Sequence, residues 1–318
     1  MKKLKKGTKI FLIIICLILI CSATVVTTGY KYMNRVKVVP LNLGTATTEK
    51  EIKEELNVSE ETEKKSKEHN LENILILGID NKENASDAIM VLSIDKGTNS
   101  LKLTSIMRDL YVDLPGDADK INYAYNIGGV EYTISTLNKL FNLDIQKYIK
   151  INFEEFVNII DYLGGLELNI TEAERSIINE KLAIDGVYNE DKLTKSGDIL
   201  LNGHQALAYS RVRIIDSDFV RTQRMRNVLM GVFEKIKEEP VTKYPKIISE
   251  LSSNVTTNIE TKDILNMGKF MVSVDSNNIK QFRIPIDGTT VDSNTNGVYN
   301  LKWNVEENIN AFHNFIYD

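Results

Sequence analysis

Apolar positions along the chain fall into two alternating periods. Asn73-Ile74-Leu75-Ile76-Leu77-Gly78-Ile79-Asp80 is a continuous apolar run closed by Gly and Asp, the pattern of a buried strand that feeds a loop. Ala88 to Asp95 and Leu101 to Met107 repeat that pattern, with Thr98-Asn99-Ser100 as the turn between them and Arg108-Asp109 at the end of the third strand. The spacing then lengthens. Val130 to Phe141 reads as a helix, Lys147 to Ile151 as a strand, Asn152 to Leu163 as a helix stopped by Gly164-Gly165, and Leu166 to Ile170 as a strand. Glu172 to Leu201 is less regular and is expected to be a lid or surface excursion. A further helix runs to about Glu239, followed by a helix from Thr261 to Val274, a strand from Ile279 to Ile286 and a helix from Val305 to Ile316. Strands and helices alternate without an internal repeat. This predicts one α/β domain, layered, with a central mixed sheet flanked by helices.

The residues before Leu71 follow other patterns. Residues 1–9 carry five lysines and form a basic tail. Ile10 to Val26 then contains no charge, and the run extends to Tyr30, so it meets the length of about 17 residues that a membrane-spanning helix needs. Lysines ahead of such a segment hold the N-terminus in the cytoplasm and send the rest of the chain outside. A cleaved signal peptide is the alternative, but the apolar run is longer than the usual signal and Ser22-Ala23-Thr24 is only a fair cleavage site, so an uncleaved anchor over 10–30 is preferred. Residues 31–70 are largely polar, and from Lys50 to Asn70 only Ile52, Leu56 and Val58 are aliphatic. That stretch is expected to be a spacer, leaving 71–318 as the extracellular domain. The two cysteines, Cys16 and Cys21, both lie in the anchor, so the exported part folds without disulfides or thiol chemistry.

Charge narrows the partners. The whole chain carries −5, and setting aside the five N-terminal lysines takes the remainder to −10. An acidic exported domain argues against nucleic acid as its partner. Arginine is nevertheless concentrated: five of the nine lie between Ser210 and Arg226, in a chain with 30 lysines. The planar guanidinium fork suits carboxylate and phosphate. Met225, Val228, Leu229, Val232, Phe233 and Ile236 mark the buried face of the following helix, which puts Arg221 and Arg224 on its inward side near the N-terminus. An inward cation there needs an anionic partner. Asp216 and Asp218 are candidates, with Asp218 or Ser217 as N-cap. Two carboxylates do not balance five guanidinium groups, however, so a ligand anion is favoured over self-pairing. Arg226 is expected to be only a surface charge.

His69, His204 and His313 stand apart from one another and from any cysteine, which disfavours a His-based zinc site or a Ser-His-Asp triad. No phosphate-cradling Gly-rich loop is present. Carboxylates and cations at strand ends remain. Asp80 closes the first strand and Asp87 opens the second, so antiparallel pairing would bring both to one edge, as a Mg2+ site or as two loop caps. Arg108 ends the third strand in the same region, and Lys120 is a further candidate anion contact. The combination suits phosphoryl transfer on a phosphorylated, lipid-linked substrate, where positioning and charge neutralisation do most of the work.

These segments also carry a resemblance. The run from Asn73 to Asp80, Ser86-Asp87-Ala88-Ile89-Met90, Arg108-Asp109, Lys120-Ile121-Asn122 with Ala124-Tyr125, Asp161-Tyr162-Leu163-Gly164-Gly165-Leu166, Leu201-Asn202-Gly203-His204-Gln205-Ala206-Leu207-Ala208-Tyr209-Ser210-Arg211-Val212-Arg213 and the Arg221/Arg224 pair occur in the order seen in the LytR-CpsA-Psr family. The match spans about Leu71 to Glu239, and the N-terminal anchor agrees with the family's topology.

The resemblance implies a single-pass membrane enzyme of Gram-positive envelopes, with its N-terminus cytoplasmic and its catalytic domain extracellular. It would move a teichoic acid or capsule glycopolymer from undecaprenyl pyrophosphate to the C6 hydroxyl of N-acetylmuramic acid in peptidoglycan. By motif position Asp80 and Asp87 would hold Mg2+ or Mn2+. Arg108, Arg213 and Arg221 would bind and polarise the pyrophosphate, with Arg211, Arg224 and Lys120 in support. Asp87 would also help to deprotonate the acceptor. An apolar groove for the polyprenyl tail is expected under the Val130–Phe141 helix. Three positions depart from the family pattern. Met107 stands where Pro often precedes the Arg-Asp pair, Met225 where Gln commonly follows the second Arg, and Asn81-Lys82 where an Arg often follows the first Asp. They bear on efficiency or substrate choice more than on reaction class. Two other readings stay open, a weakly catalytic polyprenyl-phosphate-binding protein or regulator of the envelope, and a pyrophosphatase that uses water as acceptor.

Overall fold

The computed structural model describes residues 37–80, 84–116, 119–213, 218–295 and 297–318. The basic tail and anchor, with Cys16 and Cys21, lie outside the described residues, as do Asn81, Lys82, Asp216 and Ser217. Among the described residues no helix is long and apolar enough to cross a membrane.

A seven-stranded sheet forms the centre. It comprises β1 (Lys37–Val38), β2 (Leu71–Asp80), β3 (Ala85–Asp95), β4 (Ser100–Ile106), β5 (Ile145–Asn152), β8 (Thr256–Thr257) and β9 (Ile279–Ile284), in the order β1-β8-β5-β2-β3-β4-β9. Pairing is mixed, as expected: β2 runs parallel to β5 but antiparallel to β3, and β4 is antiparallel to β3 but parallel to β9. Two-stranded pairs are made by β6 (Leu166–Ile170) with β7 (Gly197–Leu201), and by β10 (Thr290–Thr295) with β11 (Val298–Trp303).

Side chains alternate across a strand, so β2 serves two cores. Leu75, Leu77 and Ile79 face the larger one, against Val130, Ile134, Leu137 and Phe141 of α3 (Tyr123–Phe141) and Phe312 and Ile316 of α11 (Val305–Tyr317). Ile74 faces the other side, with Leu92, Ile94 and Leu101, and meets Met267 of α10 (Thr261–Ser273). Helix α3 begins seven residues before the expected Val130, across a kink at Gly128 and Gly129.

Two stretches expected to be peripheral are folded in. Residues 37–70, read as a polar spacer, provide β1, α1 (Glu49–Glu55) and α2 (Glu60–Glu68). Thr48 caps α1 in a capping box with Glu51, and Ser59 caps α2. Leu56 is fully buried in the larger core, with Ile52 and Val58 packed against it. Three aliphatic residues are too few for a helix with its own core, but they are enough to dock two short helices onto an existing one.

Glu172 to Leu201, read as a lid or excursion, holds α5 (Glu172–Ile184), α6 (Tyr188–Asp191) and β7. With α4 (Phe153–Tyr162), β6, α7 (Gly203–Ser210) and α8 (Asp218–Lys237), these elements enclose a third core that includes Ile160, Ile178, Leu182, Leu201 and Val228. Two glycines allow the close approach. A Cβ at Gly165, whose φ is +90°, would lie 2.7 Å from the Leu201 carbonyl oxygen, and one at Gly203 would lie 2.4 Å from that of Val157.

Candidate functional site

The site forms where β2 and β3 turn and the start of α8 lies against them. Antiparallel pairing sets Asp80 opposite Ala85, and a register shift after Gly78 marks the approach to the turn. Asp80 and Asp87 therefore lie at one edge, as expected from the strand ends. Asp87 is ion-paired with Arg108, which follows β4. The Arg108 Nε also lies 3.6 Å from an Asp109 oxygen, while the other Asp109 oxygen accepts from Lys120 Nζ at 3.0 Å. Burial works against the Arg108 charge, but Asp87, Asp109 and Asp218 outweigh it and raise the guanidinium above its ordinary value.

Helix α8 supplies the facing half. The Arg221 side chain is 2% exposed and grips both oxygens of Asp218, Nε donating at 2.6 Å and Nη2 at 3.0 Å. Its Nη1 donates to the Asp87 carbonyl at 3.2 Å, which ties α8 to β3. Burial alone would raise the Asp218 carboxyl, but the Arg221 hydrogen bonds and the charges of Arg221, Arg213 and Arg108 hold it below its usual range. Arg213 is the loosest member. Its side chain is 42% exposed and its Nε is 3.7 Å from Asp218, beyond hydrogen-bond reach. Burial and the charges of Arg221 and Arg108 lower its guanidinium, only partly offset by Asp218 and Asp87. Arg108, Arg213 and Arg221 thus come from separate segments to one place, and among the described residues Arg213 is the least compensated of the three.

The remaining predicted residues have different roles. Arg211 lies over the Phe153 ring, 4.9 Å from its centre, and pairs with Asp185 at 3.1 Å. Arg224, expected to support substrate binding, is buried and bonded to protein groups. Its Nε donates to Glu174 Oε1 at 2.8 Å and its Nη1 to the Val212 carbonyl at 3.1 Å. It clamps α8 to α5 and to the residue before Arg213. Arg226 is 5% exposed, not a surface charge. It donates to Ser105, Gln223 and, at 3.2 Å, Gln281, none of them a carboxylate. Burial and the charge of Arg283 bring its guanidinium down to about 10. Sequence reasoning missed Asp109, the bridge between Arg108 and Lys120.

The apolar groove lies on the opposite face from α3, so the expectation that it sits under the Val130–Phe141 helix is corrected. A cavity of about 300 Å³ opens beside Asp87 and Arg211. It runs between Ile76, Met90 and Ile149 of the sheet, Phe153 and Phe156 of α4, and Met225, Val228, Leu229 and Val232 of α8. Ile149, Leu251 and Val255 line both this cavity and a second of about 410 Å³, which continues along Phe233, Ile236, Ile247 and Met267. Helix α9 (Tyr244–Ser252) contributes Leu251. The helical face recognised from Met225 to Ile236 therefore lines a passage as well as packing against the core through Val228. The α3 face cannot provide it because Val130, Ile134, Leu137 and Phe141 are packed solid there.

Asp80 and Asp87 are the carboxylates available to a metal at this edge. Among the described residues no group of three or more His, Cys, Asp or Glu is placed to hold a metal ion, so a protein-only cage does not fit. Two carboxylates at one edge, one of them engaged by Arg108, do fit Mg2+ when ligand phosphates complete its shell. The arrangement as a whole suits a ligand with an anionic head and a long apolar tail.

Comparison with known proteins agrees with this class. Residues 39–312 match the LytR_cpsA_psr family. The chain is 34% identical over 245 residues to the polyisoprenyl-teichoic acid–peptidoglycan teichoic acid transferase TagU of Bacillus anthracis, covering 74% of this chain and 76% of TagU. It is 31% identical over 242 residues to TagU of Bacillus licheniformis, covering 74% and 73%. Among solved structures, TagT bound to LI-WTA superposes with a TM-score of 0.65 at 27% identity, covering 77% of this chain and 90% of that one. The LytR-CPS2A-psr family protein YwtF (TagT) with bound octaprenyl pyrophosphate lipid gives 0.61 at 25% identity, covering 77% and 90%. The chain belongs to the LytR-CpsA-Psr family.

Proposed function

We propose that this protein is a phosphotransferase that moves an anionic glycopolymer, of teichoic acid or capsule type, from an undecaprenyl-pyrophosphate carrier to the C6 hydroxyl of N-acetylmuramic acid in peptidoglycan. The observation that carries this reading is the meeting of Arg108, Arg213 and Arg221 around Asp87 at the mouth of an apolar passage. Both relatives in the comparison are named as teichoic acid transferases, and one similar structure holds a polyprenyl pyrophosphate. The passage takes the prenyl tail, which leaves the diphosphate among the arginines. The acceptor hydroxyl attacks the phosphorus next to the sugar. A phosphodiester forms, the bridging P–O bond breaks, and polyprenyl monophosphate leaves. Asp87 takes the hydroxyl proton. Arg108, Arg213 and Arg221 hold the charge that builds on the phosphate oxygens, and they do so from preset positions. Asp80 and Asp87 would hold Mg2+ or Mn2+, which when bound would neutralise diphosphate charge. Residues 10–30 anchor the chain, with 1–9 cytoplasmic and the catalytic domain outside the cell.

The test incubates the full chain with lipid-linked donor, Mg2+ and peptidoglycan oligomers. Coupled product, lost in Arg213→Ala, is expected. Donor binding without product, unaffected by Arg213→Ala, would refute transfer. Release of free phosphorylated glycan would instead assign hydrolysis.

A further inference from the structure

The hairpin of β10 and β11 has no part in the chemistry above, yet it is fixed to the residue that follows Arg108. The Leu301 N–H donates to the Asp109 carbonyl at 2.8 Å, and the Leu301 carbonyl accepts from the Tyr111 N–H at 2.9 Å. Trp303 Nε1 donates to the Tyr111 carbonyl at 2.9 Å, and the buried Asn300 amide donates to Asp119 Oδ2 at 2.6 Å. These bonds hold β11 against residues 109–119. Tyr299 stands two positions before Leu301, so both side chains project from one face of β11. Leu301 fills the larger core, and Tyr299 carries that face past the edge of the core, where it is 49% exposed. Its Oη donates to Asp292 Oδ1 across the hairpin at 2.8 Å, which fixes the ring. Burial, that hydrogen bond and the charges of Asp292, Asp109 and Asp218 push the phenol up to about 12, so it stays protonated and the bond persists at neutral pH.

The donor takes the other side of the site. Asp87 lines the passage, while no described residue of the hairpin lines either cavity. Displacement at phosphorus sets the incoming and departing oxygens roughly in line. The departing oxygen belongs to the prenyl phosphate at the passage mouth, so the incoming hydroxyl arrives from the side away from the passage. The hairpin is a fixed wall beside Arg108 and Asp109 that takes no part in the passage. The geometry points to an acceptor subsite on this hairpin, in which a sugar ring of the peptidoglycan glycan lies against Tyr299 and a sugar hydroxyl donates to Asp292. This assignment rests on the function proposed above. A sugar offers a C–H face to the aromatic ring and hydroxyl donors to the carboxylate, and the single bond from Tyr299 leaves Asp292 with lone pairs to spare. The same carboxylate repels the polyanionic donor that the arginines attract, so charge sorts the two substrates to different sides. Tyr299 is thus a specificity-determining residue for the acceptor.

The test measures binding of peptidoglycan oligomers to the full chain in detergent by calorimetry, with coupling to the lipid-linked donor followed in parallel. Tyr299→Ala is expected to weaken oligomer binding by about three- to tenfold, the scale of one aromatic stacking contact. The acceptor KM should rise by the same factor, with kcat and polyprenyl pyrophosphate binding unchanged. Tyr299→Phe, which keeps the ring, binds oligomers like the wild type, and Asp292→Ala weakens them. Three results overturn the subsite and leave the transferase standing: coupling by Tyr299→Ala at the wild-type acceptor KM, an equal loss of polyprenyl pyrophosphate binding, or a Tyr299→Phe protein as weak as Tyr299→Ala. A wild type that binds no oligomer overturns the subsite as well. Oligomer binding that depends on Tyr299, without coupled product, supports the subsite and overturns the proposed function.

Discussion

Removing the Arg224 guanidinium tests whether it is a clamp or a ligand contact. Its side chain is 4% exposed and that of Glu174 is 10% exposed, so the pair is largely screened from water. Burial by itself would raise the Glu174 carboxyl, but hydrogen bonds from Thr171 and Arg224 more than offset it and keep the carboxyl below its usual value. Arg224→Met retains the apolar stem but leaves Glu174 charged and half-satisfied, and it removes the donor to the Val212 carbonyl. Breaking a buried pair from one side costs about 3–5 kcal/mol. At roughly 2–4 °C per kcal/mol for a domain of this size, the melting temperature of the purified full chain should fall by about 6–20 °C. Glu174→Gln keeps the capping oxygen for Thr171, and the double variant should cost less than the two single changes added together, because the second change removes the group stranded by the first. Circular dichroism melts of the four proteins give the coupling directly. An Arg224→Met protein that melts like the wild type but no longer binds polyprenyl pyrophosphate would refute the clamp and return Arg224 to the ligand.

Arg213→Ala should behave in the opposite way. With the side chain 42% exposed and no hydrogen bond among the described residues, its loss should leave stability within about 0.5 kcal/mol while binding of polyprenyl pyrophosphate drops, as calorimetry with matched melts would show. Acid titration reports on Asp218. Its folded pKa is depressed, so its contribution is fully present above the ordinary value of 3.8 and is lost as pH falls through the lower folded value. Asp218→Asn should therefore flatten stability below about pH 4, and an unchanged acid profile would remove Asp218 from the account. Val255→Trp, at the junction of the two cavities, should weaken binding of long polyprenyl pyrophosphates while sparing a short prenyl pyrophosphate. Equal loss for both lengths would show that the second cavity takes no lipid.

Much of this organisation was legible in the chain, for physical reasons that differ between elements. Leu166–Ile170 is observed with the expected limits, and α10 ends at Ser273, one residue from expectation, because a strong period and a clear stop signal coincide in each. The Asp80/Asp87 edge was legible because antiparallel pairing follows from a short turn. What escaped depends on distant partners. Glu174 and Arg224 are separated by 50 positions, and neither carries a local sign of the other. The two-residue strands β1 and β8 have too few residues to show a period. In β10 and β11 most side chains are exposed or only partly buried, so the alternation that marks a strand is faint. The face that opens into the passage was misplaced for a related reason. Alternation along β2 shows that two faces exist, but only the order of the strands and the crossing of α8 decide which one is filled.

The choice between self-pairing and a ligand anion for the arginine cluster dissolves once each charge is located. Arg221 is too deeply buried to wait unpaired, and Asp218 answers it from the same helix turn. Arg108 is likewise answered by Asp87 and Asp109, and Lys120 by Asp109. These pairs fix the direction of each donor before a ligand arrives, so little rearrangement is needed when phosphate charge develops. They also consume the local carboxylates. Among the described residues, Arg213, exposed and beyond bonding distance of Asp218, is the cation left over at the cluster. A diphosphate carries more charge than Arg213 alone can answer, so it must also draw on Arg108 and Arg221, whose carboxylate partners leave N–H donors to share. Affinity should accordingly be most sensitive to Arg213 and stability to Arg221, a division that neither a purely structural cluster nor a purely ligand-binding one would produce.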